Sequence, residues 1–300
     1  MRHTHQYFLG VTVAVCVRYI PRELMLFLGN ILGDFAFYIL RIRRKQVFKN
    51  LRIAFGNQKS ETELKKIARG TYKNLGKTLL EFLQLPRMNG TRIRRIVDTS
   101  ELCKIDPILK EGKGAILLGA HFGNWELLGA AFGLGGYPVN VIGRLSDNRR
   151  IGHTIDRYRR LAGMKVIQKN DPIRKVFRSL RNNELVAILM DQNTRKDMVF
   201  VDFFGRPAAS AKGIAVFALR TGAPVVPAFI VRERKYHKIL IGNPIYAHSS
   251  ENSDSDIQKY TAQFSKVIES YIRQHPDQWF WLHNRWKTQP KHLSSKLEVY

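Results

Sequence analysis

Short runs of branched apolar residues alternate with helical patterns through much of this 300-residue chain. Runs of this length and composition are typical of buried β-strands. They lie at residues 115–121, 138–143, 164–168, 185–191, 223–231 and 237–242. Helical patterns fall between several of them, near residues 147–161, 172–182 and 210–221. This alternation predicts an α/β fold with a mixed, largely parallel sheet flanked by helices.

Three further helices are predicted outside this alternation. Residues 61–85 carry apolar side chains at every third or fourth position, and Pro86 ends the pattern. Residues 256–273 show the same periodicity and precede a tryptophan-rich segment. A shorter helix is predicted over residues 101–114, where a glycine ends it.

The N-terminal region has the pattern of a membrane-anchoring helix. Residues 24–40 are almost entirely apolar and would form a helix of about 25 Å, slightly shorter than a hydrocarbon core of about 30 Å. A stripe of small and polar residues, from Gly29 to Asp34, could pack on the rest of the protein. The basic run RIRRK at 41–45 indicates that the following chain is cytoplasmic and close to anionic lipid. We therefore predict an anchor over 1–45 and a second domain over 46–300, and the pattern is compatible with either a spanning or an interfacial helix.

The formal charge of +26 and the two cysteines restrict the partners and the compartment. Such a charge attracts polyanions: nucleic acid, anionic bilayers or acidic carrier proteins. Nucleic-acid binding remains an alternative on charge, although no recognisable nucleic-acid-binding module is present. Cys16 and Cys103 have neither disulfide-framework nor metal-ligand spacing, which indicates a reducing compartment and gives no reason to expect a metal site.

The candidate catalytic residues are His121 and Glu126, in the segment AILLGAHFGNWE at 115–126. Histidine can take a proton from a hydroxyl near neutral pH, and a carboxylate can fix its tautomer and stabilise its charged form. On one continuous helix these two side chains would lie roughly 140° apart. They can therefore meet only if His121 precedes the helix, and Gly123 and Asn124 are typical of a turn and helix start there.

The segment GAHFGNWE closely resembles the acyltransferase motif of the bacterial lipid A biosynthesis acyltransferases, the lauroyl/myristoyl type within the glycerolipid acyltransferase group. The similarity continues nearly to the end of the chain, and Ser210 is one departure, since threonine is common there in the family. The matching segments are VIGR at 141–144, ILMDQN at 188–193, FVDFFGRPAASAKG at 200–213, TGAPVVPAFIVR at 221–232 and WFWLHNRWKTQP at 279–290.

The resemblance implies a membrane-bound O-acyltransferase with a glycerolipid acyltransferase-like fold, whose catalytic domain spans 46–300. It would move a fatty acyl chain from acyl carrier protein to a hydroxyl of a Kdo-lipid IVA-like precursor, at the cytoplasmic side of the bacterial inner membrane. His121 would be the general base and Glu126 its partner. The co-substrate would be an acyl carrier protein or acyl-CoA thioester, with no cofactor and no metal. Anionic membrane lipids would be further partners, with no nucleic acid expected.

Several polar residues are predicted to bind substrate. Arg144 and the Asp191-Gln192 pair each follow a strand, at the edge where ligands of such sheets bind. The segment from Gly205 to Lys212 places polar groups ahead of a helix N-terminus, which favours an anion such as the phosphate of the acceptor. The predicted substrate-binding residues are Asn124, Arg144, Asp191, Gln192, Gly205, Arg206, Ser210, Lys212 and Arg285.

Other classes of protein, and other acceptor lipids, would give different experimental results. A serine esterase would need a G-x-S-x-G nucleophile elbow, which the sequence lacks. A nucleic-acid-binding protein would keep its salt-sensitive DNA binding after His121→Ala, and a non-catalytic membrane scaffold would also tolerate that change. Within the acyltransferases, another glycolipid or phospholipid, such as a phosphatidylinositol mannoside, is an alternative acceptor.

Overall fold

A seven-stranded mixed sheet lies at the centre of the molecule and confirms the predicted α/β class. The computed structural model describes residues 15–143, 148–168, 171 and 173–290. A separate two-stranded hairpin is formed by Met198–Phe203 and Arg206–Ala211. The strands are β1 (Val97–Asp98), β2 (Ala115–Gly119), β3 (Val139–Gly143), β4 (Lys165–Gln168), β5 (Leu185–Leu189), β6 (Met198–Phe203), β7 (Arg206–Ala211), β8 (Val225–Glu233) and β9 (Tyr236–Ile241).

The strand order of the central sheet is β1-β9-β8-β2-β5-β3-β4. Strands β8, β2, β5, β3 and β4 are parallel, whereas β9 is antiparallel to β8 and pairs in parallel with β1. Strand β2 pairs with β5 so that Gly119 lies opposite Leu189. Their carboxyl ends are therefore adjacent, and the residues that follow them meet at one edge of the sheet.

Helices cover both faces of the sheet and form two apolar cores. Because side chains alternate along a strand, Ile116 and Leu118 of β2 belong to one core while Leu117 belongs to the other. The longer predicted helices are confirmed, but residues 101–114 form two short helical segments. The α-helices are α1 (Arg22–Tyr38), α2 (Arg44–Phe55), α3 (Glu61–Gln84), α4 (Gly90–Arg94), α5 (Asp106–Leu109), α6 (Trp125–Leu134), α7 (Arg149–Leu161), α8 (Arg174–Arg181), α9 (Gly213–Thr221) and α10 (Ser253–Gln274), and 3-10 turns lie at Leu85–Arg87, Ser100–Ile105 and Pro276–Gln278.

Helix α1 packs closely on α3 through its small residues, as the stripe in the sequence predicts. A Cβ atom added to Gly76 of α3 would lie 2.2 Å from the carbonyl oxygen of Gly29, so only glycine allows this approach. The Asp34 carboxylate accepts from Arg69 Nε at 2.7 Å and lies 3.3 Å from Lys73 Nζ. Contacts between α1 and α3 therefore combine close backbone packing with an ion pair at one end.

The expected N-terminal membrane anchor is not supported as a spanning helix. Among the residues that the structure describes, no helix has both the length and the apolar character needed to cross a bilayer. The outward face of α1 is nevertheless apolar, with Phe27 exposed by 59% and Ile31 by 49%. The predicted domain boundary at residue 45 stays a prediction.

Candidate active site

His121 lies in the turn between β2 and α6, ahead of the helix, as the spacing of the motif predicts. Two hydrogen bonds join the backbone of this turn to the backbone of residues 278–280. Phe280 donates its amide to the His121 carbonyl at 3.0 Å, and Gly123 donates its amide to the Gln278 carbonyl at 2.9 Å. Gly123 has a φ of 59°, and a Cβ atom there would lie 1.8 Å from the carbonyl oxygen of Ile230. Glycine is therefore required at this position of the turn.

The carboxylate that binds the His121 ring is Asp191, not Glu126, and the expected pairing of His121 with Glu126 is wrong. Nδ1 of His121 lies 2.8 Å from Oδ1 of Asp191. The second oxygen, Oδ2, accepts from the His121 amide at 3.0 Å and from Trp279 Nε1 at 2.7 Å. Asp191 follows β5, whose carboxyl end adjoins that of β2, and this strand order brings together residues far apart in the sequence.

The charges of this pair favour an ionised Asp191. Burial acts to raise the pKa of Asp191, but the charge of His121 and hydrogen bonds from His121 and Trp279 hold that pKa below its usual value. Burial acts to lower the pKa of His121, but the charge and hydrogen bond of Asp191 outweigh it and raise that pKa. When the imidazole is neutral, an ionised acceptor at Nδ1 requires the proton on Nδ1, which leaves the Nε2 lone pair available.

The other side of the His121 ring faces a partly open space. Its side chain is 24% exposed. Nε2 lies 3.4 Å from Nε2 of Gln192, and the rings of Trp125 and Phe280 lie 5.2 and 6.2 Å from the imidazole centroid. A basic nitrogen, the amide donor that bonds to it and two aromatic rings thus meet at one place.

Glu126 is held by Arg159 of α7. The guanidinium donates from Nε and Nη2 to the two carboxylate oxygens of Glu126, at 2.9 and 2.6 Å. Both side chains are mostly buried, and the charge of Glu126 adds to the rise in the pKa of His121. Glu126 is therefore near enough to influence His121 electrostatically, while its hydrogen bonds fix the first turn of α6 to α7. Its predicted catalytic role stays a prediction.

An apolar cavity begins beside these residues and runs between α6 and the sheet. Trp125, Glu126 and Arg159 form its polar end. The remaining lining is apolar and comes from α6, from strands β2, β3, β5 and β8, and from Met164 directly before β4: Leu117, Gly119, Leu128, Gly129, Phe132, Val139, Val141, Ile142, Met164, Ala187, Leu189 and Ala228. The cavity thus places hydrocarbon-like surroundings behind Trp125, whose ring contacts the His121 imidazole.

The Asn124 side chain is buried and bonded within the protein. Its Oδ1 accepts from the amide of Leu127 at 3.1 Å, which caps the N-terminus of α6. Its Nδ2 donates to Oε2 of Glu81 in α3 at 2.7 Å. The predicted contact of this amide with substrate has no support in this geometry, since the residue is fully enclosed.

The predicted anion site at residues 205–212 covers part of the turn and the second strand of the β6–β7 hairpin, a hairpin that was not predicted from the sequence. Gly205 lies in the hairpin turn with a φ of 75°, and Arg206 is exposed at the start of β7. Lys212 is half-buried directly before α9, whereas Ser210 is fully buried. The structure therefore does not bring the side chains of Arg206, Ser210 and Lys212 to one surface, and the substrate contacts predicted for these residues and for Gly205 stay predictions.

Arg285 is a buried residue of the core. Its guanidinium donates from Nη1 to the Ala209 carbonyl and from Nη2 to Oγ of Ser210. It also lies 4.9 Å from the ring centroid of Phe203, and burial lowers its pKa to about 10. These contacts join the C-terminal segment to the hairpin and do not expose the group to a phosphate. Arg144 lies outside the described residues.

Three residues that contribute to this site were not among the predicted site residues: Trp279, Arg159 and Glu81. Trp279 belongs to the tryptophan-rich segment, but nothing in the pattern indicated a bond to Asp191. Arg159 and Glu81 lie within amphipathic helices, where charged residues are usually on the solvated face. Strand order and helix rotation, which one sequence does not reveal, would have been needed to find them.

Comparison with known proteins places this site in a family. The family model described as bacterial lipid A biosynthesis acyltransferase matches residues 1–288. The chain is 28% identical over 280 residues to the lipid A biosynthesis palmitoleoyltransferase of Escherichia coli (strain K12), covering 92% of this chain and 89% of that protein. It is 27% identical over 294 residues to the lipid A biosynthesis lauroyltransferase of the same organism, covering 96% and 94%.

A related mycobacterial enzyme is similar over a shorter part of the chain. The phosphatidylinositol mannoside acyltransferase of Mycobacterium tuberculosis (strain CDC 1551 / Oshkosh) is 28% identical over 221 residues, covering 71% of this chain and 68% of that protein. The family model covers nearly the whole chain, including the His121 turn, the Asp191 strand end and the tryptophan-rich segment. The chain therefore belongs to the bacterial lipid A biosynthesis acyltransferase family.

Proposed function

We propose that this protein transfers a fatty acyl group from acyl carrier protein to a hydroxyl of a lipid A precursor. The observation that carries the proposal is the partly exposed His121 ring, which Asp191 bonds at Nδ1 and which lies 5.2 Å from the ring of Trp125, a residue that lines an apolar cavity. This is the arrangement expected of a general base that deprotonates an alcohol next to a bound hydrocarbon chain. Family membership supports the reaction class.

The proposed reaction uses these residues as follows. Nε2 of His121 takes the hydroxyl proton as the alcohol oxygen attacks the thioester carbonyl, and Asp191 stabilises the imidazolium while remaining ionised. The tetrahedral intermediate then expels the thiolate, which receives the proton from His121 and leaves as the thiol. The Gln192 amide, 3.4 Å from Nε2 of His121, is placed to donate a hydrogen bond to a reacting oxygen.

The acyl chain is proposed to occupy the cavity between α6 and the sheet. Its lining beyond Trp125, Glu126 and Arg159 is apolar, and burying each methylene group contributes about 0.8 kcal/mol. The carbonyl would then lie at the polar end of the cavity, next to His121.

Helix α1 is proposed to lie on the membrane surface. Its exposed apolar face, including Leu24, Phe27, Ile31 and Phe35, ends at a groove lined by Arg41, Arg44 and Lys45. An apolar helix face with cations beside it is typical of a helix that lies in the interface of an anionic bilayer. This interfacial orientation would bring the active site close to a lipid acceptor at the inner membrane.

The decisive experiment measures acyl transfer with purified protein. Lauroyl, myristoyl and palmitoleoyl carrier proteins would each be incubated with a Kdo-bearing lipid A precursor in detergent, and the product identified by mass. We expect a mass increase of one acyl group, and its loss in His121→Ala. The control His153→Ala changes an exposed histidine of α7 and should keep full activity. A folded wild-type protein that acylates no lipid hydroxyl would contradict the proposal.

A second acceptor class is supported by the mycobacterial relative. The name of that protein specifies a phosphatidylinositol mannoside, and the identity to it equals that to the palmitoleoyltransferase. Offering both acceptors in one mixture separates the two possibilities, since the acylated products differ in mass. Preferential acylation of the mannoside would replace the lipid A precursor as the proposed acceptor.

A further inference from the structure

Glu81 of α3 is a fully buried carboxylate with partners on four other parts of the fold. Its oxygens accept from Nη1 and Nη2 of Arg232 in β8, at 2.9 and 2.7 Å. Arg22 of α1 donates to Oε1 at 3.1 Å, and Nε2 of His237 in β9 lies 3.0 Å from the same oxygen. The fourth partner residue is Asn124, whose Nδ2 donates to Oε2 at 2.7 Å.

These surroundings keep Glu81 ionised. Burial acts to raise its pKa, but His237 and Arg232 outweigh burial and hold the pKa well below its usual value. The charged groups facing it are Arg22, Arg232 and the neighbouring Lys77, while burial lowers the pKa of His237. A buried carboxylate with this many donors has a fixed orientation, because rotating it would leave buried cations unpaired.

The fixed carboxylate determines the orientation of the Asn124 amide. With Nδ2 bonded to Glu81, Oδ1 faces the amide of Leu127 and caps α6. Asn124 ends the turn that begins with His121. The start of α6, and with it Trp125 and Glu126, therefore depends on a bond to α3.

Two more residues of α3 bond to the same turn. Asn74 Nδ2 and Thr78 Oγ1 donate to the Gly123 carbonyl at 3.1 and 3.3 Å. Arg232 Nε in turn donates to Oδ1 of Asn74 at 2.9 Å, so the ion pair of Glu81 also orients Asn74. The charged cluster of Glu81 and Arg232 thus orients Asn124 and Asn74, which both bond at the end of the His121 turn.

We propose that Glu81 is a positioning residue for acyl transfer, which fixes the His121 turn relative to Asp191 through Asn124 and the Arg232–Asn74 contact. Glu81 lies behind the turn and contacts its buried side, so its effect on the reaction is indirect. The inference rests on the proposed function, because its consequences are measured as acyl transfer.

The test compares Asn124→Ser with the wild type. Serine still caps α6 but is too short to bond to Glu81, whose ion pairs remain, so this variant should fold. We expect kcat to fall about tenfold with little change in KM for acyl carrier protein, because misplaced groups slow the chemical step more than binding. We also expect the acid limb of the pH profile to move to lower pH, since a displaced turn weakens the His121–Asp191 bond.

Glu81→Gln is the second variant, and Asp34→Asn is the matched control. Glu81→Gln keeps the shape and removes the charge, and we expect the same changes with a larger loss of stability. Asp34→Asn removes a different ion pair between α1 and α3 with no bond to the turn, and should leave kcat and the acid limb unchanged. Thermal unfolding measures how much of each variant is folded at the assay temperature.

The outcomes separate this inference from the proposed function. An inactive wild type would contradict the proposed function itself. An active wild type with unchanged kcat per folded molecule and an unchanged acid limb in Asn124→Ser would overturn the role of Glu81. A control Asp34→Asn that loses kcat to the same extent as Asn124→Ser would also overturn it, since packing of α1 on α3 would then explain the effect.

Discussion

His121 and Asp191 are supplied by two strand ends that are neighbours in the sheet but separated by two intervening strands in the sequence. Part of this site could be predicted: the histidine, the turn ahead of α6 and the polar residues after β5 were all named from the sequence. The hydrogen-bond partners of these residues could not be predicted from the sequence. The spacing of the motif suggested Glu126 as the partner of His121. The pairing of β2 with β5 instead brings Asp191 to the His121 ring.

Asp191→Asn is expected to change both the rate and its pH dependence. The active base is neutral His121, so activity rises as the pH rises through the pKa of His121, which Asp191 raises. Without the carboxylate that pKa falls, and the acid limb of kcat/KM moves to lower pH. We expect kcat to fall by about 10²–10⁴-fold, since the tautomer is no longer fixed. Asp254→Asn, in the first turn of α10, should match the wild type, and an unmoved acid limb in Asp191→Asn would mean that a different group titrates.

Glu126 and Arg159 are expected to act as a unit. Removing either charge leaves the other mostly buried without its partner, so Glu126→Gln and Arg159→Gln should each lower kcat/KM by about ten- to a hundredfold. The double variant should lose little more than either single variant. Measuring kcat/KM for all four proteins tests this coupling. Losses that simply multiply would show that Glu126 acts independently of Arg159, as a direct partner of His121 would.

The elements with the strongest sequence patterns were predicted most closely. Buried strands such as β2 and β5 are continuous apolar runs, and α3 and α10 have a full apolar stripe, because burial alone determines these patterns. The β6–β7 hairpin was missed because its sequence, FVDFFGRPAAS, alternates poorly and resembles a loop before α9. Its buried residues, such as Phe203 and Ser210, instead contact the C-terminal segment, which is distant in the chain.

The cavity beneath α6 is expected to determine acyl chain length. Ala187→Leu adds volume to the lining from β5, and Met164→Ala removes volume opposite Gly129. The first should shift preference toward shorter donors and the second toward longer ones, by about fourfold in kcat/KM per methylene group. Competition among acyl carrier proteins of increasing chain length, read by product mass, measures this. Shifts in the same direction in both variants would contradict the assignment of the cavity.

Helix α1 is expected to hold the protein on anionic bilayers. Phe27→Glu with Ile31→Glu places two charges on its exposed face and should weaken binding to phospholipid vesicles by at least about tenfold. Sedimentation with vesicles of mixed anionic and neutral lipid measures the change. Ile173→Glu, at an exposed apolar residue outside α1, is the control. Equal binding by the double variant and the wild type would exclude this face as the docking surface.

For the whole molecule, the charge of +26 predicts a salt-dependent encounter with an acidic donor. Raising the ionic strength from about 0.05 to 0.3 M shortens the screening length to below 10 Å, so KM for acyl carrier protein should rise about tenfold while kcat is unchanged. A neutral acyl thioester, used with the same saturating acceptor, should show no such dependence. The same salt effect with both donors would indicate that the charge does not attract the carrier protein.

The segment after α10 completes the site, because Trp279 bonds to Asp191 and Phe280 bonds to His121. Every strand of the central sheet precedes it in the sequence. During synthesis, a nascent chain could assemble that sheet while these two residues were still inside the ribosome. We therefore expect newly made copies to become active only after residues 279 and 280 have left the ribosome, so that a nascent chain does not act on lipid before this segment has joined the sheet.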